Sequence, residues 1–291
     1  MLDALQFGPI HREWYVVNGK LTNAEVLPHP IRNRAFNYAD GFFESIRVVH
    51  GRLQHLELHF SRVVDSIEGH HMVAPRGFDA ISFESSLQEL IERKNITAGG
   101  RVRVTFFRSG GGRYTPESDE LLWVAEAEAL DVNEFGLNEG GLQVDIYPEM
   151  RKTRNPLSNY KNLAAQIYVH SGIWAKSKGL SEALITNERN HIIESTRSNL
   201  FLVSNRVLYT PGLDSGPVGG IMRAAVIQVA LQNGYKVYEC DLTPQELLRA
   251  DEMFLTNAVL GVQWVLGYRT KRYRSETSRD LTNLLNATLV R

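Results

Sequence analysis

The spacing of apolar positions changes period twice in the first 130 residues, and the changes predict strand, strand, helix, helix, strand, strand. Trp14-Tyr15-Val16-Val17 runs into Asn18-Gly19, the dipeptide that most strongly signals a β-hairpin. A second apolar run, residues 42–49, reaches another turn at His50-Gly51. Leu56, His59, Val63 and Ile67 then recur three or four apart, which predicts a helix over residues 56–68. A second helix is expected over 83–94, and strands over 102–107 and 121–127. Strands on either side of paired helices point to an α+β layer and away from a Rossmann unit.

Between residues 129 and 141 the chain turns polar and glycine-containing, and residues 131–141 are the expected linker. They would divide a smaller α/β domain, residues 1–130, from a larger one, residues 142–291. In the second half strands are expected over 142–147, 183–186, 200–203 and 207–210, with others near Val237 and Phe254. Helices are expected over 163–178, stopped by Gly179, and over 221–233, stopped by Gly234. A last helix begins at about Glu276.

Composition changes this picture little. A chain of 291 residues with a net charge of −1 has no electrostatic case for nucleic acid or an anionic membrane. The single cysteine, Cys240, excludes an internal disulfide framework and fits a reducing compartment. No apolar run approaches the roughly 18 residues of a membrane span, so a soluble, cytoplasmic protein is expected.

The candidate chemistry is scattered. Lys161, just ahead of a predicted helix, is either a solvated surface charge or a nucleophilic amine; the second role requires burial or nearby cations to keep it neutral. Glu194 follows two β-branched residues, Ile192 and Ile193, an unusual setting for a surface carboxylate. Asn199 reads as a turn residue bonding its own backbone. Gly219-Gly220-Ile221-Met222-Arg223 opens a helix, and the free N–H groups there suit an anion, although ordinary loop-to-helix punctuation uses the same residues. Arg62 lies three residues beyond His59 and is either a surface arginine or a phosphate clamp. His55, Glu57 and His59 have no third-ligand pattern for zinc, so no metal is expected. Ser109-Gly110-Gly111-Gly112-Arg113-Tyr114 lacks the lysine of a Walker loop; it reads as a mobile loop offering Arg113 to a substrate carboxylate.

Six ordered segments resemble the class IV (fold type IV) enzymes of pyridoxal 5'-phosphate (PLP), from residue 34 to 265. They are residues 36–44 (with Ala39 where the family has glycine), 56–62, Lys161, Glu194 with 198–201, 220–223 and 251–258. The resemblance implies two α/β domains with PLP in the cleft between them, in a homodimer. It implies that Lys161 forms the Schiff base and Glu194 pairs with the pyridine nitrogen. Arg62, Gly220, Ile221, Met222, Thr256, Asn257 and Ala258 would surround the phosphate. The candidates to meet substrate are Tyr38, Arg113 on the glycine loop and Arg197 beside Glu194, the last a charge that neither best-known pattern of the family requires. Phe43-Glu44-Ser45-Ile46-Arg47 looks like the branched-chain aminotransferases, apart from Ser45. Gly220–Arg223 and residues 256–262 look more like the 4-amino-4-deoxychorismate lyases. The expected reaction is transamination of a branched-chain or similar amino acid with a 2-oxo acid. The alternative is release of 4-aminobenzoate and pyruvate from a chorismate-derived substrate.

Overall fold

The structure, a computed structural model, describes residues 13–24 and 33–290. The chain divides into two compact units, up to Asp131 and from Val132 onward.

In the first unit the elements run β1 (Glu13–Val17), β2 (Lys20–Ala24), α1 (Arg34–Tyr38), β3 (Gly41–Val49), β4 (Arg52–Leu53), α2 (Leu56–Gly69), α3 (Ala80–Arg93), β5 (Gly99–Arg108) and β6 (Leu121–Leu130). The strands form one antiparallel sheet in the order β2-β1-β6-β5-β3-β4. Alternate residues of β3, among them Phe42, Glu44 and Ile46, are buried, as strand periodicity requires. Val63 and Ile67 of α2 and Phe83, Leu87, Leu90 and Ile91 of α3 share one core with Phe42, Ile46, Phe106 and Trp123. Phe42 stacks on Phe106 with centroids 4.8 Å apart. Helix α3 starts three residues before the expected 83, because Asp79 and Ser82 form a capping box.

The short helix α1 had no counterpart in the periodicity. Asn33 caps it by accepting the Ala35 N–H at 2.7 Å, and Ala39 ends it at φ 52°, ψ 31°. That is the left-handed region, where a Cβ costs about 1–2 kcal/mol. The place where this chain departs from the resembling motif, alanine for glycine, is therefore a backbone position that favours glycine.

In the second unit the elements are β7 (Leu142–Ile146), α4 (Gln166–Ser177), β8 (Glu182–Thr186), β9 (Ile192–Ser195), β10 (Asn199–Ser204), β11 (Val207–Pro211), α5 (Ile221–Gln232), β12 (Lys236–Cys240), α6 (Pro244–Arg249), β13 (Glu252–Asn257), β14 (Gly261–Tyr268), β15 (Lys271–Arg272) and α7 (Glu276–Ala287). The residues from 132 to 141, within the expected linker, are tied into this unit. Phe135 is buried and exchanges two hydrogen bonds with the Asn286 side chain, and Asn138 exchanges two with the Trp264 backbone. The strand order is β12-β11-β10-β13-β14-β7-β8-β9, with β15 beside β14. Because β9 also pairs with β10, the six strands from β10 round to β9 close on themselves.

The closing pair is Glu194 with Asn199. Asn199 in turn lies opposite Thr256, and Thr256 opposite Val262. Directly opposed residues share a face of a sheet. The closure therefore sets Glu194, Asn199 and Thr256 side by side in one row.

Replacing Ala39 by glycine should raise stability by about 0.5–1 kcal/mol, the relief of left-handed strain less the entropy glycine gives the unfolded chain. Chemical denaturation of Ala39→Gly against the parent checks this, and a loss of stability would contradict it.

Candidate functional site

Glu194 is the carboxylate of the row. Its side chain is 4% exposed. Oε1 accepts from Lys152 Nζ and from the Tyr168 hydroxyl, each at 2.7 Å, and Oε2 accepts the Val218 N–H at 2.9 Å. Burial and the facing carboxylate push the Tyr168 phenol far above its ordinary range, so it stays protonated and donates. Neither Lys152 nor Tyr168 stood out in the sequence. They reach Glu194 from 42 and 26 residues away, and only the fold brings them together.

Asn199 does not bond its own turn, as its residue type suggested. Its Nδ2 donates to Val218 O at 2.8 Å, and a Cβ placed at Gly220 would overlap its Oδ1. Gly220 is the N-cap of α5, has no side chain to cap the helix, and takes an ordinary φ of −69°. Glycine is needed here for space, not for backbone freedom. Ile221 and Met222 are buried at the start of α5, where the first N–H groups lack intrahelical partners. Beside Asn199, Thr256 is 1% exposed, and its Oγ1 has no hydrogen-bond partner among the described residues. A buried hydroxyl without a partner costs about 1–3 kcal/mol, so a water or a ligand group is expected to meet it. Asn257, next in line, is spent on its turn: Oδ1 accepts from Val259 N and Leu260 N, and Nδ2 donates to Ser198. Ala258 is part of that turn.

Lys161 is half-buried in the loop leading to α4, which begins at Gln166 and not at 163. Two residues earlier, Asn159 laces this loop to the one before α5. Its Nδ2 donates to Leu213 O and Pro217 O, and its carbonyl accepts the Gly219 N–H at 2.9 Å. The lysine loop, the glycine helix start and Glu194 are thus bound into one cluster within the second unit. Arg197 lies at the tight turn between β9 and β10 but points to Glu182, with Nε at 2.6 Å and the side chain 63% exposed.

The first unit holds the remaining candidates. Arg62 grips Glu44 through Nε at 2.8 Å and Nη2 at 2.6 Å, and His59 Nδ1 donates to the same carboxylate at 2.6 Å. Burial would raise the Glu44 carboxyl, but Arg62 and then His59 outweigh it and bring it from 4.5 down to about 2. Burial, with a smaller part from His59, pushes His55 from 6.5 to about 4. Among the described residues no group of three or more His, Cys, Asp or Glu is placed to hold a metal ion.

Arg113 is exposed, and the backbone of its loop is bonded to Arg34. Buried Arg34 donates from Nη1 to the carbonyls of Gly111, Gly112 and Arg113 at 3.0–3.2 Å and from Nε to Asp40 at 2.8 Å. The Arg34 guanidinium also lies over the Tyr38 ring, 4.9 Å from its centre, and Tyr38 meets Tyr114 of the loop at 5.8 Å. Tyr38 and the Arg113 loop are thereby brought together.

A family model for class IV aminotransferases matches residues 41–268. The chain belongs to this family. Class IV aminotransferases are PLP-dependent enzymes and include both aminotransferases and lyases. An aminodeoxychorismate lyase of Vibrio harveyi is 30% identical over 243 residues, which cover 82% of this chain and 86% of that one. A D-alanine aminotransferase of Listeria monocytogenes is 26% identical over 251 residues, covering 85% and 84%. In fold, a branched-chain aminotransferase of Thermoproteus uzoniensis, solved with norvaline, superposes with a TM-score of 0.85, at 20% identity and 94% and 93% coverage. The class IV fold is thus shared at low identity.

Two outcomes follow. Glu44→Gln should abolish a pH-dependent part of stability. A carboxylate depressed from 4.5 to about 2 contributes stability that is complete above pH 4.5 and lost as pH falls towards 2. At about 1.4 kcal/mol per pH unit this is about 3 kcal/mol. Denaturant titrations from pH 7 to 2 should show the parent losing it across that window and the variant not; parallel curves would refute the pairing. His55 loses its own contribution earlier, between pH 6.5 and 4, in both proteins. Gly220→Ala should cost about 1–3 kcal/mol, because the added methyl overpacks against Asn199. Unchanged stability would show that Asn199 swings aside freely.

Proposed function

We propose that the cluster in the second unit binds PLP, with Lys161 as the residue that attaches it covalently. The observation that carries the reading is the buried, unpartnered Thr256 hydroxyl, in one row with Asn199 and so beside the uncapped start of α5. A partnerless donor beside free helix N–H groups fits a phosphate. Glycine at 220 leaves room for the backbone to approach it.

The residues then divide the work. The N–H groups of Ile221 and Met222, with Thr256, hold the phosphate. Glu194 accepts a hydrogen bond from the pyridine nitrogen. Lys161, in its half-buried loop, takes and returns the proton at the substrate carbon that bears nitrogen. PLP supplies an electron sink for the charge released there. The phosphate role of Arg62 stays a proposal from the resemblance, and the substrate roles of Tyr38 and Arg113 stay proposals from the sequence. Arg197 has less support, since Glu182 already holds it.

For the reaction we put the lyase reading first. The expectation of transamination leaned on Phe43-Glu44-Ser45-Ile46-Arg47, and the fold gives three of those five residues other work. Glu44 is consumed by Arg62 and His59, Ile46 is core and Arg47 is buried. Three of the five residues therefore have a packing reason to be there, which weakens the pattern as an argument for transamination. The 30% identity to a lyase then weighs more. In that reaction the nitrogen-bearing carbon of the aminodeoxychorismate ring would lose its proton, the neighbouring ring C–O bond would break, and the departing enolpyruvate would take up a proton to become pyruvate, leaving 4-aminobenzoate. Transamination is the second reading, favoured by the 26% relative.

The test uses purified protein loaded with PLP. Borohydride reduction and peptide mapping should place the cofactor on Lys161, and aminodeoxychorismate should yield pyruvate and 4-aminobenzoate in equal amounts. Label on another lysine would defeat the site. Conversion of bound PLP to the pyridoxamine form by an amino acid, reversed by 2-oxoglutarate, would replace the lyase reading with transamination.

A further inference from the structure

Lys152 is held at both ends. Its backbone N–H donates to Thr186 O at 2.9 Å, which pins the residue beside β8. Its Nζ, on a side chain only 13% exposed, donates to Glu194 Oε1 at 2.7 Å and Ser158 O at 3.0 Å and lies 5.5 Å from the centre of the Tyr168 ring. A surface lysine keeps its ammonium in water; this one does not. Nor is stability a sufficient reason for it, since a buried ion pair is often no better than apolar residues of the same volume.

The distribution of donors on Glu194 is uneven. A carboxylate has about four acceptor directions, two on each oxygen. Lys152 and Tyr168 fill both on Oε1, while Oε2 takes only the Val218 N–H among the described residues. We propose that Lys152 is a positioning residue: with Tyr168 it saturates Oε1, so that Oε2 is the oxygen left to meet the ring nitrogen of the cofactor. This rests on the PLP reading above. It adds that the orientation of Glu194 is set from behind, by a cation that never touches the ring.

The test compares Lys152→Met and Lys152→Arg with the parent, all as full-length protein. The readouts are PLP affinity of the cofactor-free protein by equilibrium titration, the absorption spectrum of bound PLP between pH 6 and 9, and turnover. Lys152→Met should weaken PLP binding about ten- to a hundredfold, the range for losing a hydrogen bond to a charged group, and alter the spectrum and its pH dependence. It should lower kcat more than it raises KM for substrate. Lys152→Arg, which keeps charge and donors, should restore most of each. If Lys152→Met does not fold, Tyr168→Phe removes the other Oε1 donor and should shift affinity and spectrum in the same direction. A folded Lys152→Met, or Tyr168→Phe in its place, with parental affinity and spectrum would overturn this proposal alone. Reduced cofactor mapped to Lys152 would overturn this proposal together with the assignment of Lys161. A parent protein that takes up no PLP would overturn both readings together.

Discussion

The closing of the second sheet by one residue pair, Glu194 with Asn199, is the constraint on which the candidate site depends. A slip of one residue in β9 would turn Glu194 to the opposite face, since side chains alternate along a strand. In this register Glu194, Asn199 and Thr256 form one row, and the first two reach the same residue, Val218, from its N–H and its carbonyl. The loop entering α5 is therefore positioned by the strands and not by its own sequence. Asn159 then ties the lysine loop to the same segment. Three elements far apart in sequence share one anchor.

Each unit buries a carboxylate against a cation, and the two cases differ in a useful way. Glu44 meets Arg62 in a two-pronged pair and His59 besides, and its acidity is correspondingly strong. The effect of that arrangement is to hold a guanidinium at a fixed angle on α2. Glu194 meets a lysine, a phenol and a backbone N–H, all weaker at imposing direction than a guanidinium fork. The first arrangement uses the carboxylate to orient the cation. The second uses the cation to orient the carboxylate. Both differ from surface ion pairs such as Arg101 with Glu128, where water screens most of the attraction.

Much of the fold was legible because periodicity and punctuation are local. The stripe Leu56, His59, Val63, Ile67 marked α2, and Gly179 and Gly234 follow α4 and α5 closely. Helix α6 escaped although Thr243-Pro244-Gln245-Glu246 carries a capping box with proline at the first turn, a signal present in the residues themselves. Strand β14 escaped for another reason: its burial does not alternate, so a period of two is absent. Within the site, Lys161, Glu194 and the Gly220 helix start were legible as residue types in an ordered pattern. Lys152 and Tyr168 were not, because nothing near them in sequence distinguishes a buried lysine or tyrosine from an exposed one.

The same argument explains why reaction type is harder to read than cofactor. Residues proposed to hold a phosphate or a ring nitrogen are fixed by backbone register and leave a pattern: glycine where a Cβ would collide, threonine where a hydroxyl is buried alone. The residues that the sequence offered for a variable substrate sit where register imposes less. Arg113 is exposed on a loop whose backbone, not side chain, is held by Arg34, and Arg197 is exposed at a turn. Within Phe43-Glu44-Ser45-Ile46-Arg47, the segment that looked most diagnostic of transamination, Ile46 is fixed by the core and Glu44 by Arg62, while Phe43 and Ser45 are half-buried on the other face of the strand. A residue pattern discriminates between two reactions only where one of them uses a side chain that the fold itself does not already require.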